Sequence, residues 1–238
     1  MRLPQALEPA FFDEVFRTDH ATWRAAVVEV CAAHCVECDV VSAFADGSNL
    51  VAAVDDHWIV KIFPPFHRHQ WESERRVLAH LRGETLPLKV PLLIADGIRD
   101  DGWPYVIMEK LPGVALATCW DDLGTQDRTS IIEKIGSAMA AVHRLPLGEA
   151  ATLAPEWRSF LRNQTVDCRK RHAAFGVPEW FHEGLDGLLG EWAPDNDTDD
   201  RLLLTAEYMP FNLLVQRDAS VWRLTGMIDY TSPGNSAS

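Results

Sequence analysis

The sequence lacks an excess of basic residues, since 22 lysines and arginines face 35 aspartates and glutamates, giving a formal net charge of −13. Proteins that bind nucleic acid need a basic face to displace the counterions of the phosphate backbone. We therefore expect no nucleic-acid partner and no polybasic membrane anchor. The acidic balance is compatible with a cationic small-molecule substrate, although solubility alone also accounts for it.

Long apolar runs are also lacking. No run of about 18 apolar residues occurs, so the sequence predicts no transmembrane helix. Residues 1–12 contain Pro4, Glu8 and Pro9 and do not combine a basic segment with an apolar one. A signal peptide is therefore not predicted, and we expect a cytoplasmic protein without a membrane partner.

Cysteine is scarce: there are five, an odd number without a secretion signal, so a disulfide framework is not expected. Cys31, Cys35 and Cys38 cluster around His34, which leaves a zinc site as an alternative. No second ligand pair with zinc-finger spacing follows. The cluster ends an amphipathic helical pattern, in which cysteine packs as a small hydrophobe. We therefore favour a core role over metal binding.

The remaining composition is that of an ordinary globular protein, with 24% charged and 47% hydrophobic residues. A length of 238 residues is enough for one large domain or for two small lobes that share a cleft.

The pattern in the first half of the chain predicts one helix followed mostly by strands. Residues 19–36 show apolar positions at helical spacing. Short apolar runs separated by turn signals follow, and they predict strands at 39–45, 49–54, 57–63, 89–95 and 103–110. A helical pattern at 71–81 interrupts the series. The prediction is an antiparallel sheet of about five strands with one inserted helix.

Beyond Pro112-Gly113 the pattern becomes helical. Predicted helices cover residues 129–145, 157–172 and 180–192, and short strand-like runs lie at 202–204, 213–216 and 222–228. The predicted class is α+β with two lobes. Residues 1–110 form a sheet lobe, and residues 111–238 form a mostly helical lobe that carries a hairpin.

Lys61 is the first residue that suggests chemistry, because it lies inside an apolar strand. A buried lysine is costly without an anionic partner. The following helix offers Glu72 and Glu74, and Glu74 has the better apolar context toward the end of the helix. The alternative is a lysine at a strand edge that points to water, beside a solvated helix.

A second group of polar residues lies near the C-terminus of the sequence. Glu207 precedes Asn212 by five residues, and Asp229 follows seventeen residues later. Phosphoryl transfer uses a carboxylate near the attacking hydroxyl and oxygen ligands that hold Mg²⁺. Asn212 and Asp229 could supply such ligands from the two strands of one hairpin. The alternative is a loop with an exposed glutamate and an asparagine in a turn.

The order of these motifs resembles the aminoglycoside phosphotransferase family, particularly its hygromycin-modifying branch. That family usually reads H-G-D-x-x-P-x-N-x-L-V and then I-D-F or I-D-W. Here Pro210, Asn212, Leu214 and Val215 match the first motif, and I-D-Y at 228–230 matches the second. The resemblance covers roughly residues 39–230 and implies a protein-kinase-like fold.

The resemblance also implies roles for individual residues. A strand lysine paired with a helix glutamate holds the ATP phosphates in such folds, and the turn at 47–49 would lie over the nucleotide. Backbone groups at 108–110 would bind adenine. The implied set is Lys61, Glu74, Ser48, Asn49, Met108, Glu109 and Lys110 for the nucleotide, Asn212 and Asp229 for Mg²⁺, and Glu207 for catalysis.

The implied function is an ATP-dependent phosphotransferase that acts on a hydroxyl of a small molecule, aminoglycoside-like by analogy, as in antibiotic resistance. Three departures from the family pattern are Thr205 and Ala206 for the histidine and glycine, Glu207 for the aspartate, and the early end of the sequence after Asp229. Thr205, Glu207 and the early end support an alternative, a pseudokinase or truncated nucleotide-binding module without transfer activity. A misplacement near 1 Å costs about a hundredfold in a reaction that depends on positioning.

The family pattern normally continues with several helices after the position of Asp229, and the sequence stops soon after it. We therefore expect exposed apolar surface on the helical lobe, and self-association through it.

Overall fold

The N-terminal half of the chain forms a five-stranded antiparallel sheet in the computed structural model, which describes residues 2–153, 157–191, 202–204 and 208–230. The strand order is β1-β2-β3-β5-β4. The strands are β1 (Val41–Ala43), β2 (Leu50–Val54), β3 (Trp58–Ile62), β4 (Leu93–Ile98) and β5 (Pro104–Glu109). The predicted sheet of five strands with one inserted helix is confirmed.

Helices cover both faces of this sheet. On one face lie α1 (Pro9–Phe11), a π-helical turn (Phe12–Phe16) and α2 (His20–Ala33), and on the other lies α3 (Arg68–Leu81). Neither α1 nor the π-helical turn was predicted from the sequence. The indole N–H of Trp71 in α3 donates to the carbonyl oxygen of Tyr105 at 3.0 Å, which attaches α3 to β5.

Alternation along β3 decides which face each side chain reaches. Val60 and Ile62 are fully buried in the cluster beneath α2, whereas Ile59 packs against the cluster beneath α3. Because successive side chains of a strand point to opposite faces, Lys61 lies on the α3 side. A lysine in this strand therefore faces the helix that carries Glu74.

The tight turn between β2 and β3 depends on two aspartates. Asp55 and Asp56 have φ values of 48° and 59°, in the left-handed region that aspartate tolerates better than most residues. The Asp55 carboxylate accepts the backbone N–H groups of Asp39 and Val40 at 3.0 and 2.6 Å. These bonds hold the start of β1 against the turn and lower the pKa of Asp55.

The second half of the chain contains helices and a small sheet. The helices are α4 (Thr125–His143), α5 (Trp157–Ala174) and α6 (Glu179–Glu191), and the antiparallel strands are β6 (Val114–Ala115), β7 (Leu213–Asp218) and β8 (Val221–Met227). The strand predicted at 202–204 is wrong. Leu203 is buried between the exposed Leu202 and Leu204, and no described strand pairs with this segment.

The segment that precedes β4 contacts the small sheet directly. Lys89 donates its backbone N–H to Thr225 at 3.0 Å and accepts from Met227 at 3.1 Å. One buried cluster contains Val106 of β5 together with Val215 of β7. The predicted boundary between two lobes at 110/111 stays a prediction. The buried cluster contains residues from before and after this boundary.

The cysteine cluster is only partly in the core. Cys31 is fully buried, Cys38 is half-buried and Cys35 is exposed with φ of 54°. The predicted core role thus holds for Cys31 and is wrong for Cys35, because the chain leaves the helix in a left-handed turn there. Within the described parts of the chain, no three His, Cys, Asp or Glu side chains converge in a metal-binding arrangement.

Across the ranges that the structure describes, every helix is too short or too polar to cross a lipid bilayer.

Candidate active site

Lys61 lies between two carboxylates. Its Nζ is 2.8 Å from Oε2 of Glu74 and 2.9 Å from Oδ1 of Asp229. The contact with Asp229 is a hydrogen bond, whereas the contact with Glu74 has the distance of an ion pair without hydrogen-bond alignment. Lys61 and Glu74 are 7% and 1% exposed, so this pair is shielded from water. The alternative of a lysine pointing to water is therefore wrong.

Two regular elements bring this pair together. Lys61 is in register with Val51 of β2 and Val106 of β5, at the centre of the sheet. Glu74 lies one turn after Trp71 and one turn before Leu78, on the buried face of α3. The helix thus presents one carboxylate to the sheet at the position of the strand lysine.

The charges in this cluster shift one another's pKa. Burial lowers the pKa of Lys61, but the carboxylates of Asp229 and Glu74 outweigh burial and raise it. Burial raises the pKa of Glu74, and the nearby Asp229 raises it further. Lys61 acts in the opposite direction, but the pKa of Glu74 remains raised. Lys61 is therefore protonated at neutral pH.

The cluster of Lys61, Glu74 and Asp229 carries a formal net charge of −1 when both carboxylates are ionised. The side chain of Asp229 is 36% exposed, whereas that of Glu74 is 2% exposed. A negative site that opens to solvent on one side attracts a divalent cation. With that cation present, the local charge becomes favourable for phosphate groups.

Asn212 and Asp229 are adjacent through the backbone of the hairpin. The N–H of Ile228 donates to the carbonyl oxygen of Asn212 at 2.9 Å, and the N–H of Asn212 donates to Met209 at 2.9 Å. Asn212 is buried, with 5% of its surface exposed. An amide oxygen and a carboxylate are the hard ligands that Mg²⁺ prefers, so these two residues fit the predicted metal.

The backbone of Asp229 is left-handed. Its φ is 62°, which is uncommon for a residue with a Cβ, although aspartate adopts this conformation more readily than most residues. Such conformations are more frequent at functional sites than elsewhere. The preceding residue, Ile228, is held by the bond from its N–H to Asn212.

The turn between β1 and β2 contains the predicted nucleotide-covering residues Ser48 and Asn49. Ser48 is exposed, and Gly47 has φ of 107°, which requires glycine or strains any other residue. Asn49 is buried instead, and its side chain bonds to His67 and Gln70. The turn therefore presents its backbone and Ser48 to solvent, while the Asn49 amide faces the protein.

The predicted adenine-binding segment lies at the end of β5. Met108 is buried, and the N–H groups of Glu109 and Lys110 donate to the carbonyl oxygens of Leu92 and His57 at 2.9 and 2.8 Å. The amine of Lys110 also pairs with Asp56. Since these two N–H groups are occupied, adenine binding by this segment would use its carbonyl oxygens or the residues that follow.

The predicted catalytic residue Glu207 lies outside the described residues, as do Thr205 and Ala206. Sequence reasoning missed His67 and Gln70, which hold Asn49. The available signal was weak: both residues precede the amphipathic part of α3, where polar residues are ordinary.

Comparison with known proteins identifies the class. A kinase-like sheet lobe with a lysine–glutamate pair, followed by a helical part with a hairpin, defines a phosphotransferase fold. The model of the phosphotransferase enzyme family (APH) matches residues 40–232. The chain belongs to this family. The search of curated proteins gives no match.

Solved structures that match this fold include aminoglycoside phosphotransferases. The chain is 18% identical to APH(2″)-IIIa in its GDP and kanamycin complex, with a TM-score of 0.66 over 86% of this chain and 72% of that one. For a thermostable mutant of APH(4)-Ia with AMP-PNP and hygromycin B, identity is 17% and the TM-score 0.58, over 86% and 70%. At these identities the likeness shows the fold, and it confirms the expected protein-kinase-like architecture.

Proposed function

We propose that this protein transfers the γ-phosphoryl group of ATP to a hydroxyl of a small, cationic, aminoglycoside-like molecule. The observation that carries the proposal is the cluster of Lys61, Glu74 and Asp229, because it combines a buried lysine that is protonated at neutral pH with a solvent-accessible carboxylate. Family membership supports the reaction class.

The geometry and the family resemblance support a role for each of these residues. Lys61 binds the phosphates of ATP, and Glu74 holds the lysine in place from α3. The turn at 47–49 covers the phosphates, and the segment at 108–110 borders the adenine. These nucleotide-binding roles are part of the proposal.

Asn212 and Asp229 would hold Mg²⁺, which supplies charge neutralisation on the transferred phosphate. Asp229 contacts Lys61 directly, so it links the metal-binding position to the lysine that binds phosphate. The left-handed backbone of Asp229 and the bond between Ile228 and Asn212 fix the two ligand residues relative to each other.

The proposed reaction balances as a simple phosphoryl transfer. The acceptor oxygen forms a bond to the γ-phosphorus while the bond from that phosphorus to the oxygen of ADP breaks. Glu207 accepts the proton of the acceptor hydroxyl, since it occupies the sequence position of the family's carboxylate.

The acceptor class rests on two observations. The net charge of −13 favours a cationic ligand. Proteins of the same fold have been solved with kanamycin, hygromycin B and gentamicin. Both observations support a polycationic sugar as the acceptor.

The test is release of ADP from ATP, or of GDP from GTP, with Mg²⁺ and in the presence of kanamycin, hygromycin B or gentamicin. We expect release that depends on both ATP and one acceptor, and that falls at least a hundredfold in Glu207→Ala. Unchanged turnover in Glu207→Ala would remove Glu207 from the mechanism. Nucleotide binding without transfer to any acceptor would favour the pseudokinase alternative.

Self-association through the helical lobe stays a prediction. Val166, Phe175 and Trp180 are large apolar side chains on α5, α6 and the turn between them, and all three are mostly exposed. Light scattering should give a mass above the 26.7 kDa of one chain, and Trp180→Ser should lower it. A monomer at micromolar concentration would contradict this expectation.

A further inference from the structure

Asn49 joins the exposed turn at 44–48 to the start of α3. It is 3% exposed, and both ends of its side-chain amide are bonded. Its Oδ1 lies 3.1 Å from Nδ1 of His67, and its Nδ2 donates to Oε1 of Gln70 at 3.1 Å and to Oγ of Ser48 at 3.3 Å. A buried amide with its groups satisfied in this way holds its neighbours in a fixed arrangement.

The partners of Asn49 belong to the helix that carries Glu74. His67 immediately precedes α3, and Gln70 lies in its first turn, one turn before Glu74. Asn49 immediately precedes β2, in which Val51 is in register with Lys61. The hydrogen bonds therefore connect the turn to the helix that carries Glu74, and β2, which begins directly after Asn49, pairs with the strand that carries Lys61.

We propose that Asn49, His67 and Gln70 form a positioning network that holds the turn at 44–48 over the phosphates of the bound nucleotide. This inference rests on the nucleotide site proposed above and deepens it. Asn49 and Gln70 act through the turn, so they are positioning residues without contact to the reacting atoms.

The turn has few other attachments in the described structure. Residues 44–48 are exposed, and a Cβ added at Gly47 would meet no atom within 4 Å. The bond from Phe44 N–H to Val51 at 2.9 Å and the contact of Arg17 with the carbonyl of Ala45 hold its first part. The network holds its last part, next to Ser48.

The surroundings of His67 favour the neutral ring. Burial and the neighbouring His69 lower its pKa, and Lys61 acts in the same direction, whereas Asp13 and a hydrogen bond to Ser48 act against them. A neutral ring that carries its proton on Nδ1 donates to Oδ1 of Asn49. The Asn49 amide is then left to donate to Gln70 and Ser48, which matches the observed contacts.

A matched pair of substitutions at Gln70 tests the network. Gln70→Met keeps the length of the side chain and removes the acceptor for Asn49, whereas Gln70→Glu keeps an acceptor oxygen. Gln70 is half-buried, so both variants should fold. Glu72→Ala is the control, because Glu72 lies on the same helix with its side chain 52% exposed. Asn49→Ala removes all three bonds.

Two measurements distinguish positioning from stability. Without nucleotide, hydrogen–deuterium exchange of the amides at 44–49 should become faster in Gln70→Met and Asn49→Ala, and stay as in the wild type in Gln70→Glu and Glu72→Ala. Calorimetry with Mg²⁺ and ATP should then show Kd raised about five- to tenfold in Gln70→Met, the effect of one lost hydrogen bond. Gln70→Glu should bind ATP with the Kd of the wild type.

Any other outcome contradicts the inference. Unchanged exchange in Gln70→Met shows that the network does not hold the turn. Faster exchange with unchanged Kd shows that the turn is held but does not cover the nucleotide. Absence of ATP binding by the wild-type chain overturns the nucleotide site itself, and the exchange data then still report whether the network orders the turn.

Discussion

Lys61 and Asp229 are 168 residues apart in the sequence, yet Nζ of the lysine lies 2.9 Å from Oδ1 of the aspartate. The contact connects the central strand of the sheet lobe to the end of the hairpin in the second half of the chain. Together with the ion pair to Glu74 it makes Lys61 the point at which three elements meet.

Removing Lys61 should destabilise the fold as well as the nucleotide site. Lys61→Met leaves the buried Glu74 carboxylate without its cation, and breaking such a pair from one side costs about 3–5 kcal/mol. Replacing both partners with apolar residues is often neutral. Urea denaturation should therefore show a large loss for Lys61→Met and recovery in Lys61→Met/Glu74→Leu. ATP binding should be lost in both.

Equal stability of Lys61→Met and the wild type would contradict the buried ion pair. If the double variant does not regain the wild-type free energy of unfolding, packing contributes more than charge to the loss of stability.

Protonation of His67 should lower stability. Its folded-state pKa lies below the ordinary 6.5, first because of burial and then because of His69, so the unfolded chain binds more protons between the two values. The stabilisation is complete above pH 6.5 and is lost as the pH falls through the folded pKa. The free energy of unfolding should drop less steeply in His67→Gln below pH 6.5. If the free energy of unfolding depends on pH in the same way in both proteins, His67 does not contribute to the pH dependence of stability.

A side chain at Gly226 should be unfavourable, because Leu111 would have to shift. A Cβ there would lie 2.9 Å from Cδ1 of Leu111 and 3.4 Å from the carbonyl oxygen of Lys89. Gly226→Ala should cost about 1–3 kcal/mol by overpacking at the junction of the two sheets. Gly136, exposed in α4 with no atom within 4 Å of the Cβ position, is the matched control. Gly136→Ala should stabilise the protein by about 0.5–1 kcal/mol, and thermal unfolding measures both.

Cys31 should resist alkylation. Burial, together with the neighbouring Cys38, raises the pKa of its thiol to about 12, so it is a neutral thiol at pH 8. Cys35 is exposed and should react first with iodoacetamide, as measured by mass spectrometry of the native protein. Labelling of Cys31 at the rate of Cys35 would contradict the buried position; in urea both should react.

The sequence predicted the local elements well, because periodicity reports which face is buried. The alternation in β3 and the apolar positions of α3 made Glu74 a candidate partner of Lys61 but left a solvent-facing lysine as an alternative. The family resemblance favoured the pair, and the structure places the two side chains 2.8 Å apart. The contact with Asp229 could not be derived in this way, since no periodicity relates residues 168 positions apart. Only the family resemblance put Lys61 and Asp229 in one site.

Two details share a physical cause. The side chain of Asn49 bonds to Gln70, 21 residues away, and no local pattern in the sequence indicated this contact. Leu202–Leu204 has the composition of a strand but no partner strand in the described structure. In both cases a tertiary contact, present or absent, decides the outcome, and local composition does not encode it.

The most direct test of the central claim is calorimetric titration of the chain with ATP, with and without Mg²⁺. We expect binding that requires Mg²⁺ and that Asp229→Ala abolishes. Asp218→Ala, which removes a carboxylate of the same hairpin with its side chain 79% exposed, should bind as the wild type does. Failure of the folded wild-type chain to bind ATP, or full binding by Asp229→Ala, would contradict the proposed nucleotide site.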